Sequence, residues 1–182
     1  MKTLILNGSP RAGGDTAALL KAFTSALAGE YMLKNCFGAD ISPCTDCRAC
    51  RVSQSCALHD DMQEIYRCLA ECDNVVIASP VHYGELSSSL LSAAGRFQLY
   101  SSAMIFRHEK PNVTAKRGAV ILAQGGSGGA ERAYETAVLI FRSIGITEVM
   151  PMVCSGNTDR LPAAEDKAAL SAAVSLAARL NG

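Results

Sequence analysis

The chain has 182 residues, 49% of them apolar, with 17 basic and 17 acidic side chains and a formal net charge of zero. This composition excludes an intrinsically disordered chain and leaves no basic footprint for a nucleic acid. No apolar run approaches the roughly 20 residues of a membrane span, and the short apolar start is broken at Gly8-Ser9-Pro10. We therefore expect a cytoplasmic protein with neither nucleic-acid nor membrane partners.

Short apolar runs alternate with longer helical stretches along the chain. The patterns predict strands at 2–6, 30–36, 74–78, 117–123 and 147–150, and helices at 15–27, about 60–72, 85–100, 130–144 and 162–180. Residues 37–59 form a loop rich in cysteine, residues 101–116 are irregular, and residues 124–129 form a glycine-rich turn.

The strands are apolar throughout rather than alternating, which is typical of a sheet covered on both faces. With right-handed crossovers, the β–α order predicts a doubly wound parallel sheet of five strands with helices on both faces. No linker or repeat divides the chain, so we expect one domain over residues 1–182.

The loop after the first strand carries the residues of an anion site. Gly8, Gly13 and Gly14 allow close backbone approach, Ser9 and Thr16 supply hydroxyls, and Arg11 supplies a fork of donors. The N-terminus of the following helix favours negative charge. The loop is neither a Walker loop nor the dinucleotide fingerprint. The alternative is a tight turn with a helix cap.

Gly8-Ser9-Pro10-Arg11, followed by small residues and Thr16, resembles the phosphate loop of the NADPH-dependent FMN reductase family in the flavodoxin-like superfamily. The resemblance implies a flavodoxin-like fold and an FMN phosphate held by Ser9, Arg11, Gly14, Asp15 and Thr16. Asp15 stands where relatives usually have Asn. A carboxylate there caps the helix more readily than it binds phosphate, so its role as a direct ligand is open.

Two later loops extend the resemblance. Ser79-Pro80-Val81-His82-Tyr83-Gly84 is similar to the family loop that wraps the flavin ring, with Tyr83 placed to stack on it. His82 replaces the more usual Tyr, and either hydrogen-bonds the flavin or lies at the rim of the site. Gln124, Gly125 and Gly126 match the loop whose backbone N–H groups meet the flavin's pyrimidine edge.

Four cysteines lie within 13 residues: Cys44, Cys47, Cys50 and Cys56. Closely spaced thiolates on one loop can wrap an iron–sulfur cluster, but the same set can bind zinc, act as redox thiols or hold no metal. The motif resembles that of the iron–sulfur flavoproteins, a branch of the same superfamily. That resemblance implies a 4Fe–4S cluster on all four cysteines. We expect Cys36, Cys68, Cys72 and Cys154 to be small core or loop residues.

The resemblance implies an FMN-dependent oxidoreductase that moves electrons from NAD(P)H or ferredoxin to a small-molecule or protein acceptor. Its chemistry takes place at flavin N5, and no catalytic side chain is assigned. The alternatives are an electron carrier between protein partners, a cluster-free NAD(P)H:FMN or quinone reductase, and, last, a sensor. Relatives are homodimers or homotetramers, which by analogy places subunit contacts at 84–108.

Overall fold

The computed structural model describes residues 1–182. The strands are β1 (Lys2–Asn7), β2 (Glu30–Asn35), β3 (Asn74–His82), β4 (Glu85–Leu86), β5 (Arg117–Ala123), β6 (Glu148–Val149) and β7 (Val153–Ser155). The helices are α1 (Asp15–Ala26), α2 (Met62–Glu71), α3 (Ser88–Gly95), α4 (Gln98–Ser102), α5 (Ala130–Ser143) and α6 (Lys167–Asn181). A 3-10 turn covers Ala49–Arg51, and a π-helical turn at Ala103–Arg107 extends α4.

The sheet runs in the order β2-β1-β3-β5-β6, and every pair along this path is parallel. This is the doubly wound order of flavodoxin-like folds, so the predicted fold class is confirmed. The predicted number of five strands is wrong, because the sheet has seven. Met150-Pro151-Met152 divides the last position into β6 and β7, which both pair with β5, and β4 returns antiparallel along the end of β3.

Several boundaries differ from the sequence prediction, and residues 101–107, which were expected to be irregular, are helical because α4 continues into the π-helical turn. Strand β3 continues past Ser79-Pro80 to His82, because a proline is tolerated at a strand end where its position needs no donor. The expected helix 85–100 starts as strand β4 and then breaks at Arg96–Phe97 into α3 and α4. Helix α6 begins at Lys167, where the Asp166 side chain accepts a hydrogen bond from the Ala169 N–H at 3.0 Å.

Buried side chains of the central strands alternate between two cores. In β1, Ile5 packs with α1 and α6 on one face, whereas Leu4 and Leu6 pack with α2, α3 and α5 on the other. Strands β3 and β5 repeat this alternation, which explains why all three are apolar throughout. The two cores fix the sheet rigidly, so the loops at its carboxyl edge start from fixed positions.

None of the helices combines the length and the apolar character needed to cross a lipid bilayer.

Candidate functional site

The three loops predicted to bind a ligand meet at the carboxyl edge of the sheet. A Cβ atom on Gly8, after β1, would lie 3.4 Å from Ser79 Oγ in β3 and 2.2 Å from Ser87 Oγ just after β4. A Cβ atom on Gly129, after β5, would lie 3.0 Å from Gly84 Cα at the tip of the β3–β4 hairpin. Only glycine permits both approaches. They bring the ends of β1, β3 and β5 together at the position where doubly wound folds bind ligands.

Several backbone N–H groups at the start of α1 are unpaired. Gly14 precedes the helix without a side-chain cap, and the first intrahelical bond runs from the Ala18 N–H to the Gly14 carbonyl. Five backbone N–H groups before it make no hydrogen bond within the chain: those of Ala12, Gly13, Asp15, Thr16 and Ala17. Unpaired N–H groups at a helix N-terminus form a site for an anion such as a phosphate.

The side chains of this first loop shape it in different ways. The Ser9 hydroxyl accepts from the Arg11 N–H at 3.3 Å, and Asn7 Oδ1 accepts from the Ser9 N–H at 3.0 Å. Arg11 is exposed and pairs with Asp15 at 2.9 Å. The other Asp15 oxygen accepts from the Ala163 N–H at 3.0 Å. Both carboxylate oxygens therefore have partners in the chain, while the Nε and Nη1 groups of Arg11 remain available to an anion.

The second loop is a tight hairpin. His82 of β3 and Glu85 of β4 are opposite each other in the antiparallel strand pair. The two residues between them, Tyr83 and Gly84, have φ of 54° and 76°. Positive φ at both central residues is typical of a type I′ turn, where Asn-Gly is the usual pair and tyrosine is strained. The Tyr83 side chain is fully exposed beside the site. Backbone strain at an exposed aromatic side chain points to a functional role for Tyr83.

The third loop is hydrogen-bonded to residues 157–158, which the sequence patterns did not identify as part of the site. The N–H groups of Asn157 and Thr158 donate to the carbonyls of Gly126 and Gln124 at 2.7 and 3.0 Å. Gln124 is buried, and its Oε1 has no hydrogen-bond partner. A buried acceptor without a donor is costly. The N–H groups of Gly125 and Gly126 also make no hydrogen bond within the chain, so this loop presents backbone donors to a ligand.

The four clustered cysteines line one cavity of about 80 Å³. Asp46 and Arg48, on either side of Cys47, adopt left-handed backbone conformations that coil the loop around this cavity. Cys50 Sγ lies 3.2 Å from Ser102 Oγ. In this structure no three of the chain's Cys, His, Asp or Glu side chains stand at metal-ligating spacing. The four thiols therefore share one cavity without standing at the spacing of a single-metal site.

An ion pair behind this cavity was also missed. Arg96 and Asp60 are nearly inaccessible to solvent, and their side chains are 2.5 Å apart. Burial alone would raise the pKa of Asp60, but hydrogen bonds from Arg96 and from the Ser42 and Met62 N–H groups outweigh burial and lower it. A single arginine in the apolar run from Leu90 to Phe97 was the signal that could have found it.

The remaining cysteines behave largely as expected. Cys36, Cys68 and Cys72 are buried, and desolvation raises the pKa of Cys36 and of Cys72 to about 12. Cys154 lies in β7 rather than in a loop as predicted, because Val153–Ser155 adds a short strand beside β5. These four thiols are not part of either candidate site.

Helix α3 separates the two candidate sites. Its N-terminal end lies beside Gly8, whereas a Cβ atom on Gly95, at its last residue, would lie 3.9 Å from Cys44 Cβ. Eight residues of helix extend about 12 Å. The chain therefore holds two distinct sites about one short helix apart.

The chain matches a known protein family and several characterised proteins. Residues 1–159 match the model of the NADPH-dependent FMN reductase family. An iron–sulfur flavoprotein from Archaeoglobus fulgidus is 28% identical over 152 residues, which make up 82% of this chain and 66% of that protein. For another iron–sulfur flavoprotein the match covers only 48% of the relative's length, so the chain spans about half to two thirds of these relatives.

Two solved structures share the fold. The NAD(P)H:quinone oxidoreductase from Methanothermobacter marburgensis superposes with a TM-score of 0.74 at 17% identity, covering 100% of this chain and 98% of that one. The FMN-dependent NADH-azoreductase from Bacillus anthracis, solved with FMN, superposes with a TM-score of 0.69 at 17% identity and covers 100% of both chains. Because the family model matches most of its length, the chain belongs to the NADPH-dependent FMN reductase family.

Proposed function

We propose that the chain is an FMN-dependent oxidoreductase whose three strand-end loops bind one FMN. The observation that carries the proposal is the set of five unpaired N–H groups at the start of α1, in the same crevice where the other two loops meet. A dianionic phosphate is the ligand that such a helix terminus favours. The family match and the FMN-bound structural neighbour point to the same cofactor.

Each loop takes one part of the cofactor in this proposal. The first loop holds the phosphate through Ser9, Arg11, Gly14 and Thr16, with Asp15 keeping Arg11 in place. The second loop, Pro80, Val81, His82, Tyr83 and Gly84, packs against the ring. The third loop, Gln124, Gly125 and Gly126, meets the pyrimidine edge with its backbone N–H groups, of which those of Gly125 and Gly126 have no partner within the chain.

FMN would supply the redox chemistry when bound, by taking up a hydride and passing electrons on singly or in pairs. The three loops would bind and orient it. No side chain is assigned as an acid or base. NAD(P)H is the proposed donor and a small molecule the proposed acceptor, in line with the quinone oxidoreductase and azoreductase neighbours.

The cysteine loop favours a more specific function. Four cysteines on one cavity, in a chain similar to iron–sulfur flavoproteins, support a 4Fe–4S cluster held by Cys44, Cys47, Cys50 and Cys56. Such a cluster carries one electron at a time, so ferredoxin as donor and a protein as acceptor belong to this proposal. We further propose a homodimer or homotetramer, because the predicted contact segment 84–108 exposes Ile105 and Phe106.

Flavin titration of the purified chain tests the FMN site. We expect Arg11→Ala to weaken FMN binding about tenfold, as one charge-assisted phosphate contact is lost, and to leave riboflavin binding unchanged. Lys21→Ala, on the exposed side of the same helix, is the matched control. Equal losses for FMN and riboflavin would contradict the phosphate contact. Oxidation of NADH and NADPH by the FMN-loaded protein then separates an oxidoreductase from an electron carrier.

Anaerobic iron and sulfide analysis tests the cluster. About four irons and four sulfides per chain support it, and zinc or an empty loop contradicts it while leaving the FMN proposal intact. The oligomeric state follows from light scattering of the same sample.

A further inference from the structure

Arg96 forms part of the wall of the cysteine cavity, and its side chain is completely buried. Buried arginines are rare, because removing a guanidinium from water is costly unless every N–H finds a partner. The partners of Arg96 therefore show what the residue is placed to do.

The two terminal nitrogens of Arg96 hold the ends of the cysteine loop. Nη1 donates to the Ser42 carbonyl at 2.8 Å, two residues before the first cysteine of the loop, and Nη2 donates to the Leu58 carbonyl at 3.2 Å, two residues after the last. Both nitrogens also bond Asp60, at 2.5 and 3.2 Å. A planar fork can make all these bonds at once, which lysine cannot do.

The third nitrogen is left without a partner. Arg96 Nε and Gln124 Oε1 are the two buried side-chain polar atoms of the chain that make no hydrogen bond. Asp60 occupies the Nη1–Nη2 edge of the guanidinium, so the Nε–H is the donor that remains. Cys56 lines the same cavity as Arg96, and no hydrogen bond joins the two side chains. A buried donor beside four thiols points to a sulfur acceptor in the cavity.

We propose that Arg96 is the positioning residue of the cysteine site: its Nη groups hold the two ends of the loop together, and its free Nε–H donates to a sulfur of the bound iron–sulfur group. This inference rests on the cluster proposed above. Reduction adds one negative charge to the group. A fixed N–H donor stabilises the reduced form more than the oxidised form, so Arg96 raises the reduction potential.

The test uses the full chain loaded with FMN, iron and sulfide, with the cluster potential measured by a redox titration followed by electron paramagnetic resonance. Asp60→Asn is compared with the double variant Asp60→Asn, Arg96→Gln, because neither leaves a buried carboxylate without its arginine. We expect the double variant to have a more negative potential than Asp60→Asn at equal iron content. Arg51→Gln, which alters another arginine of the cavity wall, should leave the potential of the wild type unchanged.

Equal potentials in Asp60→Asn and the double variant, or an equal negative shift in Arg51→Gln, would overturn the proposal. If the double variant does not fold, Arg96→Lys decides, because it keeps the charge beside Asp60 but loses the Nε–H. A negative shift supports the proposal and an unchanged potential refutes it. A wild-type chain that binds FMN but no iron refutes this inference and leaves the FMN proposal standing. A wild-type chain that binds iron but no FMN refutes only the FMN proposal.

Discussion

The Asp15 carboxylate accepts a hydrogen bond from the Ala163 N–H at 3.0 Å, across 148 positions of the chain. Its other oxygen pairs with Arg11. This arrangement explains how an acid is tolerated in a loop that presents donors to an anion, since both oxygens are already used. It also ties the start of α1 to the segment that leads into α6.

Two substitutions of Asp15 separate its structural role from its charge. We expect Asp15→Ala to lower the free energy of unfolding by about 1 kcal/mol, because the Ala163 N–H loses its acceptor. Asp15→Asn retains an acceptor oxygen and removes the negative charge, so it should bind FMN more tightly and riboflavin as before. Urea unfolding and flavin titration measure the two effects. Weaker FMN binding by Asp15→Asn would instead show that the ion pair, by positioning Arg11, matters more than the negative charge of the carboxylate.

Tyr83 should show a trade-off between stability and binding. Tyr83→Asn places a residue that tolerates positive φ in the turn, and we expect the apo protein to gain about 1 kcal/mol. Loss of the aromatic ring should weaken FMN and riboflavin binding equally, because both contain the isoalloxazine ring. Thermal unfolding and flavin titration check this pair of effects. Tyr31→Asn, in β2, is the control, and unchanged flavin binding in Tyr83→Asn would exclude stacking.

Two glycines of the third loop give a matched comparison. A Cβ atom on either Gly126 or Gly128 would meet no protein atom within 4 Å, so alanine at either position should leave the melting temperature nearly unchanged. We expect Gly126→Ala to weaken FMN binding, because the pyrimidine edge approaches the backbone there, and Gly128→Ala to bind normally. Equal FMN affinities in the two variants would show that the flavin ring does not approach Gly126.

The lowered pKa of Asp60 links stability to pH. A carboxyl group whose pKa is lower in the folded than in the unfolded state stabilises the fold fully above the unfolded value, about 3.9, and this stabilisation is lost as pH falls through the folded value. We expect Asp60→Asn to flatten the decline in stability below about pH 4. Asp166→Asn should flatten it similarly, since hydrogen bonds from the Ala169 N–H and Ser155 lower the pKa of Asp166. Urea unfolding between pH 7 and pH 3 gives the free energy of unfolding as a function of pH for both variants. If this pH dependence is the same in Asp60→Asn as in the wild type, the lowered pKa of Asp60 is contradicted.

Sequence patterns located the loops after β1, β3 and β5, because each follows an apolar strand and contains glycine, and parallel strands bring their carboxyl ends to one edge. They could not locate the contacts that hold these loops. Arg96 lies 36 residues from Asp60, and Asp15 lies 148 residues from Ala163. No local pattern encodes such pairs. Strand β7 was missed because three residues are too few for a periodicity to be recognised.

Alkylation distinguishes the two classes of cysteine and reports on metal binding. In the metal-free chain, iodoacetamide at pH 8 should label the exposed Cys44 and Cys47 first, whereas Cys36 and Cys72 should resist because burial raises their pKa to about 12 and leaves almost no thiolate. After loading with iron and sulfide, ligation should protect Cys44 and Cys47 as well, and removal of the iron by a chelator should restore their labelling. Tandem mass spectrometry locates the label within the tryptic peptide 35–48, which contains Cys36, Cys44 and Cys47, and within 68–96, which contains Cys72. Cys36 and Cys72 provide an internal control for unfolding. Continued labelling of Cys44 and Cys47 in a chain that retains four irons would exclude them as ligands, since a thiolate bound to iron is not free to react.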